Sequence, residues 1–239
     1  MRKTKIVCTL GPATNDKEII KEVVNAGMNV ARMNFSHGDH AEHKQRIDMV
    51  KEVEKETGKN VGLMLDTKGP EIRTGEMKDD KIQLEAETEI LISQDDVEGT
   101  TEEISVSYKD LADDMEVGNR ILIDDGLIEL EVTAIDGNDV VTKVINGGIL
   151  GSRKGVNLPG VKVSLPALTE KDIADIRFGV KQGIHFIAAS FVRKADDVIE
   201  IRKILEESKD EDIFIIAKIE NQEGVENLDS ILEVADGIM

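Results

Sequence analysis

Apolar and polar positions along the chain follow two different periods, and the switches between them mark its organisation. Residues 4–9 (TKIVCT) read as a strand ended by Gly11-Pro12. Residues 16–25 follow helical spacing through Ile19, Ile20, Val23 and Val24, with Thr14 or Asn15 as the expected cap and Gly27 as the stop. Residues 29–36 (NVARMNFS) are predicted as a second strand, with Arg32, Asn34 and Ser36 on one face and Ala31, Met33 and Phe35 on the other. Residues 39–56 read as a helix turning Ile47, Val50 and Val53 inward and closed by Gly58, and residues 61–68 as a third strand. Alternation of strand and helix predicts right-handed crossovers and a parallel sheet, covered on its outer face by helices, so that the polar row of the second strand points inward and to one end.

The period changes after Gly69-Pro70. Residues 82–84, 89–92, 103–107, 120–123, 127–133 and 140–145 read as short strands without a convincing long helix between them. The run ILIDDGLIEL over 121–130 places Asp125-Gly126 between two apolar arms, a hairpin signal. A compact antiparallel β domain is expected here. After Ser164-Leu165-Pro166 the first period resumes. Thr169 and Asp172 resemble a capping box opening a helix to about Gln182, ended by Gly183. Strands are predicted at 186–191 (FIAASF) and 213–220 (IFIIAKIE), helices at 194–207 and 224–234, and a sixth strand begins at 237–239 and breaks off. The predicted fold class is therefore α/β: a parallel sheet laid down over residues 1–70 and 166–239, interrupted after its third strand by a β domain over residues 71–165.

Composition narrows the function classes. A formal net charge of -19 offers no positive field for nucleic acid or anionic membranes, so a phosphorylated ligand would need local Lys or Arg. No run approaches the roughly 20 apolar residues of a membrane span, and the apolar stretch after MRKTK is too short for a signal peptide, which points to a cytoplasmic protein. The single cysteine, Cys8, excludes an intrachain disulfide, suits a reducing compartment, and is expected as a small buried side chain. With five Phe, one Tyr and no Trp, aliphatic side chains must build the core.

Candidate chemistry collects at strand ends: Thr9, the row Arg32/Asn34/Ser36, Asp66/Thr67/Lys68, Ser190, and the pair Lys218/Glu220. The carboxyl ends of parallel strands are where α/β folds gather active-site groups. Lys218 and Glu220, two apart in an otherwise apolar run, share a face. They read either as a structural ion pair or as a cation that stabilises developing negative charge beside a carboxylate ligand for Mg²⁺. Asp66 with Asn34, Ser36 and Thr67 makes an all-oxygen cluster suited to a hard cation, in which K⁺, Na⁺ and a water are not distinguished. His37 reads as a ligand contact or a loop hydrogen bond, whereas His40, His43 and His185 are expected to be solvated. Gly147, Gly148 and Gly151 lack the strand-to-helix context of a phosphate loop. Lys154, basic within an acidic stretch, could reach a phosphate.

The runs TKIVCTLGPAT, NVARMNFSHG, LDTKGPEIRTG, KGVNLPG, FIAASFVR and IIAKIENQEG, in this order and spanning nearly the whole chain, resemble pyruvate kinase. That resemblance implies an incomplete TIM (β/α)8 barrel, interrupted after strand 3 by a small antiparallel β-barrel-like lid domain and truncated in strand 6. It implies transfer of a phosphoryl group from phosphoenolpyruvate to ADP, giving pyruvate and ATP, with Mg²⁺ and K⁺ as cofactors. Carried over residue by residue, Lys218 stabilises the phosphoryl group in flight and Glu220 holds Mg²⁺. Asn34, Ser36, Asp66 and Thr67 bind K⁺, Arg32 and Arg73 contact phosphates, and Pro12, Arg32, Asn34, His37 and Lys154 face the nucleotide. Full-length relatives are expected to be homotetramers. Family segments that supply a second Mg²⁺-binding carboxylate and a threonine linked to enolate protonation have no counterpart in these residues, so the expectation is little or no kinase activity for this chain alone, and self-association through exposed barrel edges. The alternatives are a metal-dependent phosphoenolpyruvate/pyruvate-type lyase or aldolase, and a non-catalytic binding or assembly module.

Overall fold

The structure, a computed structural model, describes residues 3–208 and 212–239; Met1 and Arg2, where the basic start of the rejected signal peptide begins, lie outside the described residues. In chain order the first elements are β1 (Val7–Leu10), α1 (Lys17–Ala26), β2 (Val30–Asn34), α2 (His40–Thr57) and β3 (Gly62–Asp66). Next come β4 (Lys81–Leu84), β5 (Glu89–Ser93), β6 (Glu103–Ser105), α3 (Leu111–Asp114), β7 (Arg120–Ile123), β8 (Ile128–Asp136), β9 (Asp139–Asn146), β10 (Gly148–Gly151) and β11 (Val156–Asn157). The last are α4 (Glu170–Lys181), β12 (Phe186–Ala189), α5 (Ala195–Glu207), β13 (Phe214–Ala217), α6 (Gln222–Glu226), α7 (Leu228–Leu232) and β14 (Gly237–Ile238). The chain divides into two compact units, one of Met1–Pro70, Pro166–Glu220 and Gly224–Met239, the other of Glu71–Leu165 and Asn221–Glu223.

In the first unit six strands form one sheet in the order β1-β2-β3-β12-β13-β14, every pair parallel. Alternate residues of these strands, Ala31, Met33, Leu63, Leu65, Ile187, Ala189, Ile215 and Ala217, are buried in one apolar cluster with helix residues such as Ile20, Val50, Ile176 and Ile201. That is one face of the sheet under helices. The residues between them, Arg32, Asn34, Asp66 and Ala188, alternate onto the opposite face. The sheet is closely packed: a Cβ on Gly62 would stand 2.8 Å from the ring of Phe186, which stacks on Phe214 at 5.7 Å.

Helix ends follow local chemistry. Asp16, rather than Thr14 or Asn15, caps α1 by accepting from the N–H groups of Glu18 and Ile19, while Thr14 closes a single turn on Gly11. The expected box of Thr169 and Asp172 opens α4. Strands are shorter than their alternation suggests, because Ser190 and Lys218 continue the pattern past the last ladder partners of β12 and β13. The helix expected over 224–234 is two short helices parted at Asn227.

The second unit holds a six-stranded sheet, order β11-β7-β8-β9-β5-β6, and the pair β10-β4. The pairs are antiparallel, as expected, except that β5 and β6 run parallel. Asp125-Gly126 does form the β7–β8 turn, with φ of 57° and 86° and Leu127 N–H donating to Asp124 O at 3.1 Å. Gly147 serves a close backbone approach, since a Cβ there would lie 2.3 Å from Leu84 O. Tyr108 donates to Asp114, whose carboxylate also accepts from Ser164 N–H at 2.7 Å. Burial, with Asp114 as second cause, pushes the Tyr108 phenol up to about 12. As the chain has one tyrosine, an ultraviolet titration should show no phenolate at pH 10.5 in the folded chain and ordinary ionisation near about pH 10 in urea; phenolate at pH 10.5 without urea would contradict this packing.

Candidate functional site

The parallel register brings the polar strand ends into a line. Asn34 pairs with Asp66 across β2 and β3, and Asp66 with Ala188 across β3 and β12. Asp66, 1% exposed, is the hub. Arg32 Nε donates to its Oδ2 at 2.5 Å, a second guanidinium nitrogen of Arg32 reaches the same oxygen, and Arg32 also donates to Thr9 Oγ1 at 2.7 Å. Lys218 Nζ donates to Asp66 Oδ1 at 3.1 Å and to Ser190 Oγ at 2.9 Å, and lies 3.3 Å from Glu220 Oε1. Two cations from strands 34 and 152 residues away thus converge on one buried carboxylate. The side chains of Lys218 and Glu220 remain 14% and 33% exposed.

Ser190 was visible as a polar strand end without an assigned part. Its hydroxyl donates to Thr67 O at 2.5 Å, its N–H donates to Thr67 Oγ1 at 3.0 Å, and its oxygen receives Lys218, so it ties three strand ends together. Glu220 Oε2 accepts the N–H of Phe191 at 3.0 Å. Phe191 has φ of 56°, in the left-handed region that a bulky residue rarely enters.

The oxygen set of Asn34, Ser36, Asp66 and Thr67 lies on the adjoining ends of β2 and β3. It suits a hard monovalent cation in kind, though such an ion would share Asp66 with Arg32 and Lys218. Asn34 Oδ1 accepts from Ser36 N–H at 3.0 Å, the turn role that competes with ligation. Glu220 is a single carboxylate: no group of three or more His, Cys, Asp or Glu able to hold a metal occurs among the described residues. A lone carboxylate is the kind of donor Mg²⁺ takes, and it could supply no more than one ligand. Pro12 and His37 are exposed and stand outside the Asp66 network. Arg73 and Lys154 belong to the second unit. There Arg73 donates to Arg153 O at 2.6 Å and pairs with Glu71, and Lys154 Nζ reaches Asp124 Oδ1 at 3.1 Å.

Of the three histidines expected to be solvated, His185 is exposed and the His40 side chain is 44% exposed, whereas His43 departs from expectation. His40 stacks on Phe178 at 4.2 Å and contacts Asp175, and His185 Nδ1 accepts from Leu63 N–H at 2.9 Å. His43 is 2% exposed and stacked on Phe35 at 3.9 Å. Its Nε2 must donate to His37 O at 2.9 Å, leaving Nδ1 a buried lone pair without a partner. Burial pulls its pKa below the usual histidine value. The neutral form is the one the fold accommodates, so its contribution to stability is complete above about pH 6.5 and is lost as pH falls through the folded value. Urea midpoints measured from pH 7.5 to 5.5 should fall more steeply for the native chain than for His43→Gln; parallel slopes would refute a buried neutral imidazole.

A family model described as pyruvate kinase, barrel domain, matches residues 1–239. Proteins named pyruvate kinase from Staphylococcus saprophyticus and from Staphylococcus aureus strain MRSA252 are each 58% identical over 241 residues. One from Staphylococcus epidermidis is 57% identical. Each alignment takes in 100% of this chain and 41% of the relative, so the chain spans about two fifths of the length of the curated relatives it matches. No helix among the described residues is long and apolar enough to cross a membrane.

Proposed function

The chain belongs to the pyruvate kinase family, and we propose that its parallel sheet carries much of a site that transfers a phosphoryl group from phosphoenolpyruvate to ADP, giving pyruvate and ATP. One observation carries this reading: Lys218 and Arg32 converge on Asp66 at the carboxyl ends of parallel strands, with Glu220 beside Lys218. Phosphoryl transfer asks mainly for positioned positive charge around three oxygens that share a spreading negative charge. Asp66 holds both cations in place before any ligand arrives, so little reorganisation remains at the moment of reaction.

In this reading Lys218 donates to the phosphoryl group in flight and Arg32 binds phosphate oxygens. Glu220 holds Mg²⁺, and Asn34, Ser36, Asp66 and Thr67 hold K⁺. Bound cations would neutralise the charge that gathers on the phosphate oxygens. Pro12, Arg32, Asn34, His37 and Lys154 are proposed to contact the nucleotide, and Arg73 a phosphate. The sheet itself is proposed as six strands of a (β/α)8 barrel interrupted after β3 by a lid over residues 71–165. Parallel strands added in one direction, a connection that runs right-handed as a rule, and helices buried against one face support that winding. The test compares phosphoenolpyruvate binding by the chain and by Lys218→Met, by calorimetry with Mn²⁺ present. Equal affinities would remove Lys218 from the reading.

A further inference from the structure

Asp172, in the first turn of α4, is a carboxylate with no exposure to solvent. One carboxylate oxygen suffices to cap the helix: Oδ2 accepts from Thr169 N at 3.0 Å and from Thr169 Oγ1 at 2.6 Å. The other oxygen does something else. Oδ1 accepts the N–H of Gly69, 103 residues earlier, at 3.0 Å. Gly69 has φ of +70°, and a Cβ there would stand 2.9 Å from both Ser190 Cβ and Ser190 O and 3.2 Å from Phe191 Cδ2. The Gly69 backbone is thus pressed against the Ser190–Phe191 peptide, which Thr67 already grips through both the N–H and the hydroxyl of Ser190.

What this contact braces is the left-handed Phe191. Such a conformation costs on the order of 1–3 kcal/mol and persists only where its surroundings over-determine it. It directs the Phe191 N–H at Glu220 Oε2. If Phe191 relaxes, Glu220 loses that donor and is left with Lys218 as its nearest charged partner, 3.3 Å away. A ligand's own orientation depends on such outer partners, whose loss typically costs about 10–100-fold in metal affinity.

We infer that Asp172 and Gly69 are positioning residues for Glu220, acting through the braced Ser190–Phe191 peptide. Metal binding by Glu220 rests on the function proposed above; the bracing does not. Amide hydrogen exchange, resolved by NMR on the ligand-free chain, tests it. Asp172→Asn, which keeps a single acceptor oxygen where Thr169 and Gly69 each use one, and Gly69→Ala should each accelerate exchange at Phe191 by about tenfold, as its own hydrogen bond to the Glu220 carboxylate opens. Thr169→Val removes the helix cap but keeps the bond from Gly69 to Asp172, so it should leave Phe191 protected. Gly69→Ala retains Asp172 and its cap, and decides the matter if Asp172→Asn fails to fold. Unchanged protection of Phe191 in the folded variants, or equal loss in Thr169→Val, would overturn the inference. Titration with Mn²⁺ alone separates the two claims. Weaker binding in Asp172→Asn and Gly69→Ala than in the native chain supports both, whereas a native chain that fails to bind Mn²⁺ counts against the metal role of Glu220 and leaves the exchange result to decide the bracing.

Discussion

Replacing Asp66 by asparagine is expected to lower the unfolding free energy by about 3 kcal/mol, measured by urea denaturation. Removing one partner of a buried ion pair typically costs ~3–5 kcal/mol, because the charge left behind is still held away from water. Asp66 has two such partners, Arg32 and Lys218. The low end of the range applies because neither is stranded completely: Arg32 keeps Thr9, and Lys218 keeps Ser190 and Glu220. An amide of nearly the same shape avoids a cavity, so the loss reports charge rather than packing. The same substitution in a Lys218→Met background should cost less by roughly 0.5–3 kcal/mol, the usual coupling of groups in direct contact. A loss under about 1 kcal/mol in the native background would show that Asp66 is not the electrostatic hub.

That hub was only half legible in the sequence. Strand ends could be located because apolar runs stop at polar residues, and the alternation of Arg32 with Asn34 and of Lys218 with Glu220 put each pair on one face. What no local pattern contains is register. Asp66 meets Arg32 and Lys218 only once β2, β3, β12 and β13 pair with particular offsets, and Ser190 acquires its partners through the same offsets. His43 was misread for a related reason. The α2 segment is mostly polar, and burial of its imidazole depends on Phe35 lying across it, a tertiary contact. In the second unit β10 and β11 escaped notice because they are short, and β10 begins and ends in glycine. Periodicity needs more residues than that to declare itself. The parallel pairing of β5 with β6 was likewise hidden, since a strand's composition does not state its direction.

Lys218→Met should weaken phosphoenolpyruvate binding by about 10- to 100-fold, the equivalent of one hydrogen bond to a charged group. In any form of the protein that turns over, it should slow transfer by roughly 10²–10³, the usual consequence of deleting one preorganised donor from a site where charge develops. Methionine fills the space of the lysine stem without its charge. Asp66 keeps Arg32, so no buried anion is orphaned and the fold should tolerate the change. Binding loss and stability loss therefore separate in this variant, as they do not in Asp66→Asn. Arginine is not a conservative rescue. Lys218 fits a compact ammonium between Asp66 Oδ1, Ser190 Oγ and Glu220 Oε1, at 3.1, 2.9 and 3.3 Å. A planar fork cannot present donors to three such converging oxygens without moving one. Lys218→Arg should consequently stay folded and bind more weakly than the native chain. If Lys218→Met bound phosphoenolpyruvate as tightly as the native chain, the Lys218, Asp66 and Glu220 cluster would stand as a structural ion-pair network and the phosphoryl group would have to be met elsewhere.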